Sequence, residues 1–311
     1  MVYRLTRRRI LSITACAALA PISAAAEVPT ATWHGVSMGA ATSLKLVGHS
    51  SDDAEEIFAS VVAELSRLED IFSLYRAGSA LSRLNQRGKL LNPPAELIDL
   101  LENVDRIHQT TEGVFDPTVQ SLWELYSLAA RQGKLPKKVW ISDALARTGW
   151  GKVGFDKKSV VFDDPSVSLT LNGIAQGYVT DQIGMLLQNR GFQDVFIDMG
   201  ELRGLGYRPD GGSWRAGIAM PDGRLIATTE ITNRALATSA PKGTILDPAG
   251  KVGHIFDPRD GSATALRTLV SVSANSATLA DGLSTSFCML SDDAIERALD
   301  NWPDAKLEKI V

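Results

Sequence analysis

The hydrophobic pattern changes its period along the chain, and this change most constrains the fold. In the first half, apolar residues such as Ile57, Val61, Leu65, Leu68 and Phe72 recur every three or four positions. This spacing is typical of amphipathic helices. It predicts helices that begin after a cap at residues 51–53, over residues 95–108 and over about 119–131.

The second half contains short apolar runs bounded by Gly and Pro, which are typical of strands. With one earlier run at 40–47, the strands are expected at residues 159–162, 168–171, 194–197, 214–219, 225–232, 267–273 and 306–310. Further helices are expected at 175–189, 277–290 and 292–299. Mixed runs of strands and helices predict an α+β fold rather than strict βαβ winding.

Composition excludes several classes of protein. The 311 residues are 44% hydrophobic and 22% charged, as in an ordinary globular protein with a real core. Two cysteines cannot form a disulfide scaffold or a Cys-rich metal centre. A net charge of −4 without a basic tract argues against nucleic acid as the main partner.

Residues 1–26 have the features of an export signal. Four arginines and no acid precede an apolar stretch that Pro21 interrupts, and small residues follow up to Ala26. Residues 6–11 resemble a twin-arginine signal, and an Arg-rich general secretory signal is the alternative. Cleavage after Ala26 leaves a domain of residues 27–311 with net charge −8 and a periplasmic location.

Lipid attachment at Cys16 is a second alternative for the N-terminal segment. Residues 13–16 fit a lipoprotein cleavage box, but the apolar stretch before Cys16 is very short and the apolar run continues past it. Without that anchor, Cys288 is the only thiol of the mature chain, so no internal disulfide forms.

Two motifs carry groups suited to catalysis. His254 ends a short apolar segment, and a turn at 257–261 follows it, a position where a general base is often displayed. Asp281 and Thr285 are four apart on a predicted helix, so their oxygens share one face and could bind Mg²⁺. Each pattern by itself also fits a structural role, either as an incidental turn histidine or as helix-start packing.

Other segments give weaker signals. Residues 169–177 enter a helix through a Gly-containing turn whose backbone N–H groups could hold a phosphate, although helix-start packing is the more common reason for such a pattern. Residues 38–39, 73–85 and 113–118 could each be ordinary turns. No Gly-x-Ser-x-Gly elbow or complete dinucleotide fingerprint stands out, which argues against a serine hydrolase or a nicotinamide dehydrogenase.

Together and in this order, these segments resemble the ApbE family of FAD:protein FMN transferases over nearly all of the chain after the signal. The resemblance implies a T-fold-like unit of mixed sheets and packed helices, with the flavin site in a cleft between two lobes. It also implies cleavage of FAD, release of AMP, and attachment of FMN through a phosphoester to a Thr or Ser of an acceptor flavoprotein. The exported NosX-like subfamily is the nearest likeness, for which the acceptor would be a membrane-bound respiratory component such as a nitrous-oxide reduction regulator.

The resemblance also implies the site residues. His254 corresponds to the family's catalytic histidine. The Mg²⁺ ligands map to Asp281, Thr285 and the carbonyl of Gly173. The FAD contacts map to Met38, Tyr75, Val114, Phe115, Asp116, Thr170, Gln176 and Phe256. The chemistry agrees, because a hydroxyl nucleophile needs a base and a broken phosphoanhydride develops charge that Mg²⁺ stabilises.

Three positions depart from the family pattern. Thr170 and Gln176 stand where an Asp and a Lys are usual, and Ala240 stands where a Gly is usual. One negative and one positive charge of the family pattern are therefore lost. A contact to the nucleotide that is charged in the family is expected to be uncharged in this chain. Two other functions therefore stay open: an Mg²⁺-dependent FAD pyrophosphatase that releases FMN and AMP, and a non-catalytic periplasmic flavin-binding protein.

Overall fold

A computed structural model describes residues 28–247, 249–250 and 252–311. The expected export signal at 1–26 and the lipid-attachment alternative at Cys16 lie outside the described residues. Within the described part of the chain, no helix combines the length and the apolar content that crossing a bilayer requires.

The described elements follow one another in this order: β1 (Thr30–Ser37), β2 (Ala40–Val47), α1 (Glu55–Phe72), α2 (Ala80–Arg87), β3 (Lys89–Leu91), α3 (Ala95–Thr110), α4 (Gln120–Arg131), α5 (Lys138–Leu145), β4 (Val153–Phe155), β5 (Ser159–Phe162), α6 (Ala175–Asn189), β6 (Val195–Asp198), β7 (Leu202–Leu205), β8 (Arg215–Ala219), β9 (Leu225–Glu230), β10 (Arg234–Ser239), β11 (Val270–Ala274), α7 (Ala277–Phe287), α8 (Asp292–Asp300) and β12 (Lys306–Ile310). Short 3₁₀ turns occupy Pro117–Val119 and Trp150–Lys152.

A seven-stranded antiparallel sheet organises the described chain, in the order β1-β2-β6-β7-β10-β11-β12. Strand β6 shows how the alternation of side chains serves both faces: Val195 and Ile197 enter the main core, whereas Phe196 points to the other side. There Phe196 lies against Trp214, with 5.2 Å between ring centroids, beneath the β8–β9 hairpin. Helices therefore cover one face and a β-hairpin covers the other.

Helices α1, α3, α6 and α7 supply the main core on the helical face. The stripe predicted for α1 is buried as expected, with Ile57, Val61, Leu65, Leu68 and Phe72 inside. A smaller sheet, ordered β3-β5-β4, also contributes buried side chains to this core.

A separate apolar cluster joins the α4–α5 hairpin to the loop that carries His254. We call it the hairpin core, and its buried members are Leu122, Tyr126, Ala144, Val252 and Phe256. The ring centroids of Tyr126 and Phe256 lie 4.9 Å apart. The Tyr126 hydroxyl donates to the carbonyl of Gly261 at 3.1 Å, so the loop is fastened to the hairpin at two points.

The predicted α+β class is confirmed, and so are most of the predicted elements. The cap predicted at 51–53 is wrong, because α1 follows Ala54, which makes no side-chain cap, while Ser50 and Asp53 bond to each other. The strand predicted at 168–171 is also wrong. Its backbone partners are the Asn85 amide, which pairs with Leu169 in both directions at 2.8 Å, and the carbonyl of Pro117, rather than a neighbouring strand.

Helices α6 and α7 cross at Gly177 with no space for a side chain. A Cβ placed there would lie 2.3 Å from the Ala277 carbonyl oxygen and 2.8 Å from Cβ of Asp281. A glycine interrupts the helix pattern at 177 because the neighbouring backbone occupies the place of a side chain.

We expect Gly177→Ala to lower the free energy of unfolding by about 1–3 kcal/mol, because α7 must move away from α6 to admit the methyl group. Urea unfolding followed by circular dichroism measures the change. Gly151→Ala is the control, because a Cβ at 151 meets no atom within 4 Å. Equal stability of the two variants would contradict the close contact.

Candidate active site

A cavity of about 170 Å³ lies between the main core and the hairpin core. On the hairpin side, Trp123 and Phe256 line it, and on the sheet side Ser239, Asp281 and Thr285 do. This position agrees with the cleft expected between two lobes.

The cavity brings together ten of the twelve residues that the sequence singled out. They are Val114, Phe115, Asp116, Thr170, Gly173, Gln176, His254, Phe256, Asp281 and Thr285. Their roles stay predictions, but their convergence from distant parts of the chain was required by the predicted site.

The two remaining residues lie elsewhere. Tyr75 lines an adjoining cavity of about 310 Å³ that shares Trp123 and Asn172 with the first. Met38 lines neither cavity, and its N–H donates to Glu69 Oε1 at 2.7 Å in a turn with a φ of 49°. The structure thus places Tyr75 next to the cavity and leaves Met38 outside both cavities.

Helix α7 presents Asp281 and Thr285 on consecutive turns of one face, as their spacing predicted. Asp281 Oδ2 accepts from the Gly177 N–H at 3.0 Å, and the Thr285 hydroxyl lies 3.4 Å from the Gly173 carbonyl oxygen. Ser239 Oγ is 3.2 Å from the same hydroxyl. Three chain segments thus place oxygen atoms together.

Asp181 on α6 holds the first turn of α7 in place. Its carboxylate accepts from the Ala277 and Thr278 N–H groups at 2.9 Å each, and from the Ser276 and Thr278 hydroxyls at 2.7 Å. Arg203 pairs with it at 2.5 Å. This carboxylate supplies acceptors to N–H groups that a helix start leaves unpaired, and it thereby orients the helix that carries Asp281 and Thr285.

The Asp281 group fits a hard divalent cation. Oxygen is the ligand atom that Mg²⁺ prefers, and the described residues provide no hydrogen bond for Asp281 Oδ1. Burial raises the pKa of this carboxyl, so without a cation its charged form is disfavoured. Among the described residues, no three His, Cys, Asp or Glu side chains converge. An ion here would therefore complete its shell with main-chain, substrate or water oxygens.

His254 is half-buried at the edge of the cavity. Its Nδ1 lies 3.1 Å from the Pro241 carbonyl oxygen and 3.4 Å from the Thr244 amide nitrogen, and the shorter contact, to a carbonyl, assigns the proton to Nδ1. The Nε2 lone pair is then left to accept a proton. Burial lowers the pKa of His254, so its Nε2 stays unprotonated to a lower pH than in an ordinary histidine.

The side chain of Asp116 is fully engaged within the fold. Its carboxylate accepts from the Thr118 N–H at 2.8 Å, from the Thr118 hydroxyl at 2.5 Å and from the Trp150 N–H at 2.9 Å. His108 Nδ1 bonds the Phe115 carbonyl at 2.9 Å. A nucleotide contact at 114–116 would therefore use the remaining main-chain groups, because these side chains hold the loop in shape.

Glu201 and Trp123 are among the cavity residues that the sequence analysis missed. Glu201 follows strand β6 through a turn and is buried, and Trp123 lies on α4 between the two cavities. Burial and the nearby Asp281 raise the pKa of Glu201 well above its usual value. The sequence did contain a signal for Glu201, because it is an acidic residue that follows Gly200 just after a buried strand.

The cavity is also unusual for a phosphate site in its charge. None of the described residues that line it is Lys or Arg, and Gln176 lies where the resemblance places a lysine. The neutral contact expected from that departure agrees with this lining. A bound diphosphate would thus meet acids and amides but no cationic side chain of the described lining.

The chain is similar to known proteins along most of its length. Residues 38–309 match the model of the ApbE family. A protein of Vibrio cholerae serotype O1 named FAD:protein FMN transferase is 27% identical over 270 residues, covering 83% of this chain and 81% of the relative. A protein of the same name from Salmonella typhimurium is 27% identical, covering 87% of this chain and 81% of the relative.

Solved structures give the same result for the fold. Flavin transferase ApbE from Vibrio cholerae superposes with a TM-score of 0.78 at 27% identity, covering 88% of this chain and 92% of that chain. The apo form of Pseudomonas stutzeri flavinyl transferase ApbE gives a TM-score of 0.77 at 27% identity, with coverage of 88% and 89%. Because the family model spans nearly all of the described residues and the sheets and helices superpose, the chain belongs to the ApbE family.

Proposed function

We propose that this protein is an exported, Mg²⁺-dependent FAD:protein FMN transferase. The observation that carries the proposal is the convergence of His254 with Asp281, Thr285 and the Gly173 carbonyl around one cavity, in a chain whose curated relatives bear that activity in their names. A binding protein has no need of an imidazole held neutral beside a cation site, which favours catalysis over mere flavin binding.

The proposed reaction exchanges one bond at phosphorus for another. The acceptor hydroxyl oxygen attacks the phosphorus of the FMN half, the bond from that phosphorus to the bridging oxygen breaks, and AMP leaves with that oxygen. The hydroxyl proton passes to Nε2 of His254, which the contact of Nδ1 with Pro241 orients toward this task. The products are the FMN phosphoester and AMP.

Asp281, Thr285 and the Gly173 carbonyl would hold Mg²⁺. When bound, the ion supplies the positive charge that stabilises a diphosphate under attack. The chain itself offers no Lys or Arg in the described cavity lining for that purpose. Phe256 and, from the adjoining cavity, Tyr75 would cover flat parts of FAD with aromatic surface.

Water is the competing acceptor in the same site, because any nucleophile that reaches the phosphorus beside His254 can react unless it is excluded. A pyrophosphatase would release free FMN and AMP at a rate that matches or exceeds transfer. Measuring both products in one reaction separates the two activities.

Export to the periplasm and an acceptor in a respiratory chain are the remaining parts of the proposal. They rest on the signal-like residues 1–26 and on the likeness to the NosX-like subfamily. The decisive experiment compares FMN-modified proteins, by mass spectrometry, in the periplasmic and membrane fractions of cells with and without this gene. A protein that carries FMN on Thr or Ser only when the gene is present identifies the acceptor. The same FMN-modified proteins in both strains would contradict the function.

We expect His254→Ala to slow FMN transfer by about 10²–10⁴-fold, because the base is lost, while the affinity for FAD changes little. Transfer is measured as covalent flavin fluorescence of the acceptor on a denaturing gel, and FAD affinity by fluorescence titration. His34→Ala, on the exposed side of β1, is the matched control. Unchanged transfer in His254→Ala would rule out the assigned role.

We expect Asp281→Asn to raise the half-saturating Mg²⁺ concentration by more than about tenfold, because a neutral amide replaces the only carboxylate in the proposed ligand set. The readouts are transfer as a function of Mg²⁺ and the Mg²⁺-dependent increase in melting temperature. Asp300→Asn, exposed at the end of α8, should respond to Mg²⁺ as the wild type does. An identical Mg²⁺ response in Asp281→Asn would place the ion elsewhere.

The lowered pKa of His254 predicts a shifted pH profile. The base should stay active as the pH falls through 6.5, the ordinary value for histidine, and the rate should decrease only below it. In the unfolded chain the imidazole takes up its proton first. This group therefore makes the free energy of unfolding decrease as the pH falls below about 6.5. The measurement is kcat/KM from pH 5 to pH 8. A midpoint of the pH–rate profile above 6.5 would contradict the lowered pKa of His254.

A further inference from the structure

The tip of the α4–α5 hairpin has several large apolar side chains exposed on its surface. Leu128, Leu135, Val139 and Trp140 are 57%, 57%, 59% and 46% exposed, and all four lie within thirteen residues of one another in the chain. Large apolar side chains clustered on a surface are typical of interaction sites. We call the outer side of residues 128–147 the hairpin face.

The hairpin face is also positively charged, against the charge of the rest of the molecule. It contains Arg131, Lys134, Lys137, Lys138 and Arg147 against one acid, so its net charge is +4. Because residues 27–311 carry −8, the remainder of that chain carries −12. Within the described residues, none of these five cations makes an ion pair.

The inner side of the same hairpin holds the catalytic loop. Ile141 and Leu145 contact the position of Gly261, and Ala144 packs in the hairpin core with Phe256, two residues from His254. On α4, Trp123 lines the cavity itself. A partner on the hairpin face would therefore sit on an element that forms one wall of the active site.

We propose that the hairpin face is the docking surface for the acceptor protein, and that it binds an acidic, partly apolar segment near the acceptor's modified Thr or Ser. The proposal rests on the function proposed above. Complementary charge would steer the acceptor to the hairpin face, and Trp140 with its apolar neighbours would provide contact area. FAD alone needs no such surface, because the cavity that would hold it lies on the opposite side of α4–α5.

The loop that carries His254 has exposed side chains of the same two kinds, which supports a protein acceptor. Ile245 on that loop is exposed, and its neighbour Leu246 packs against the hairpin core. Lys242 adds another exposed cation on the same loop. Exposed apolar and basic side chains therefore occur both on the hairpin face and on the loop that carries the residue that would accept the proton.

The test uses the full-length protein and the variant Lys134→Glu/Lys137→Glu/Lys138→Glu. The acceptor is the protein that carries FMN only in cells with the gene, prepared unmodified from cells without it. We expect the KM for this acceptor to rise at least about tenfold at low salt, with kcat, FAD affinity and melting temperature unchanged. The difference from wild type should shrink as sodium chloride is added, because salt screens exposed charges.

The matched control reverses three exposed lysines on the smaller sheet, Lys89→Glu/Lys157→Glu/Lys158→Glu, which changes the net charge by the same amount away from the cavity. Trp140→Ala tests the apolar part without any change of charge, and it should also raise the KM for the acceptor. An equal rise in KM for both triple variants would reflect net charge alone and would overturn the assignment of the hairpin face as the docking surface.

Two further outcomes have distinct meanings. If the wild type transfers FMN and the hairpin variant has the same KM for the acceptor, the docking surface alone is overturned. If that variant also loses binding to vesicles of equal phosphatidylglycerol and phosphatidylcholine, the hairpin face is assigned to lipid instead. Absence of transfer by the wild type overturns the proposed function and the docking surface together.

Discussion

The close crossing of α6 and α7 at Gly177 is the contact on which the rest of the site depends. The Gly177 N–H donates to Asp281, and the place of its missing side chain is filled by the Ala277 carbonyl. Asp181, one turn further along α6, fixes the start of α7 with four hydrogen bonds. Because α7 carries both Asp281 and Thr285, this crossing sets the position of the proposed cation site relative to the sheet.

The second constraint is electrostatic. The cavity concentrates acids and amides, and Glu201 and Asp281 are buried there with raised pKa values. No cationic side chain of the described lining is available to balance the charge of a diphosphate. Cationic residues are placed on the outer side of the hairpin instead, where they would act on a macromolecular partner rather than on the nucleotide. In the proposed function, the metal serves the nucleotide and the hairpin lysines serve the acceptor.

Sequence reasoning found the motifs and the longer helices, but it missed the eight-residue helices α2 and α5 and several strands. The stripe of α1 and the ends of α6 and β12 were predictable because their periodic patterns are strong and are bounded by turn residues. Strand β7 was missed because it has only four residues, with an Arg and a Gly in the middle, and β10 was missed because it is short and rich in Ala, Thr and Ser. Residues 168–171 were mistaken for a strand because an apolar run does not reveal that its backbone bonds go to Asn85.

The sequence by itself determined the fold class, the family and the set of residues that carry the proposed chemistry, because periodicity and motif order are local properties of the chain. Only the tertiary structure decided that His254 lies at the cavity edge with Nδ1 against the Pro241 carbonyl, that the Asp116 side chain is occupied by Thr118 and Trp150, and that Met38 lies outside both cavities. Such facts depend on neighbours that are distant in the chain, as Thr285 and Gly173 are, and no local pattern specifies which distant atoms come within hydrogen-bonding distance.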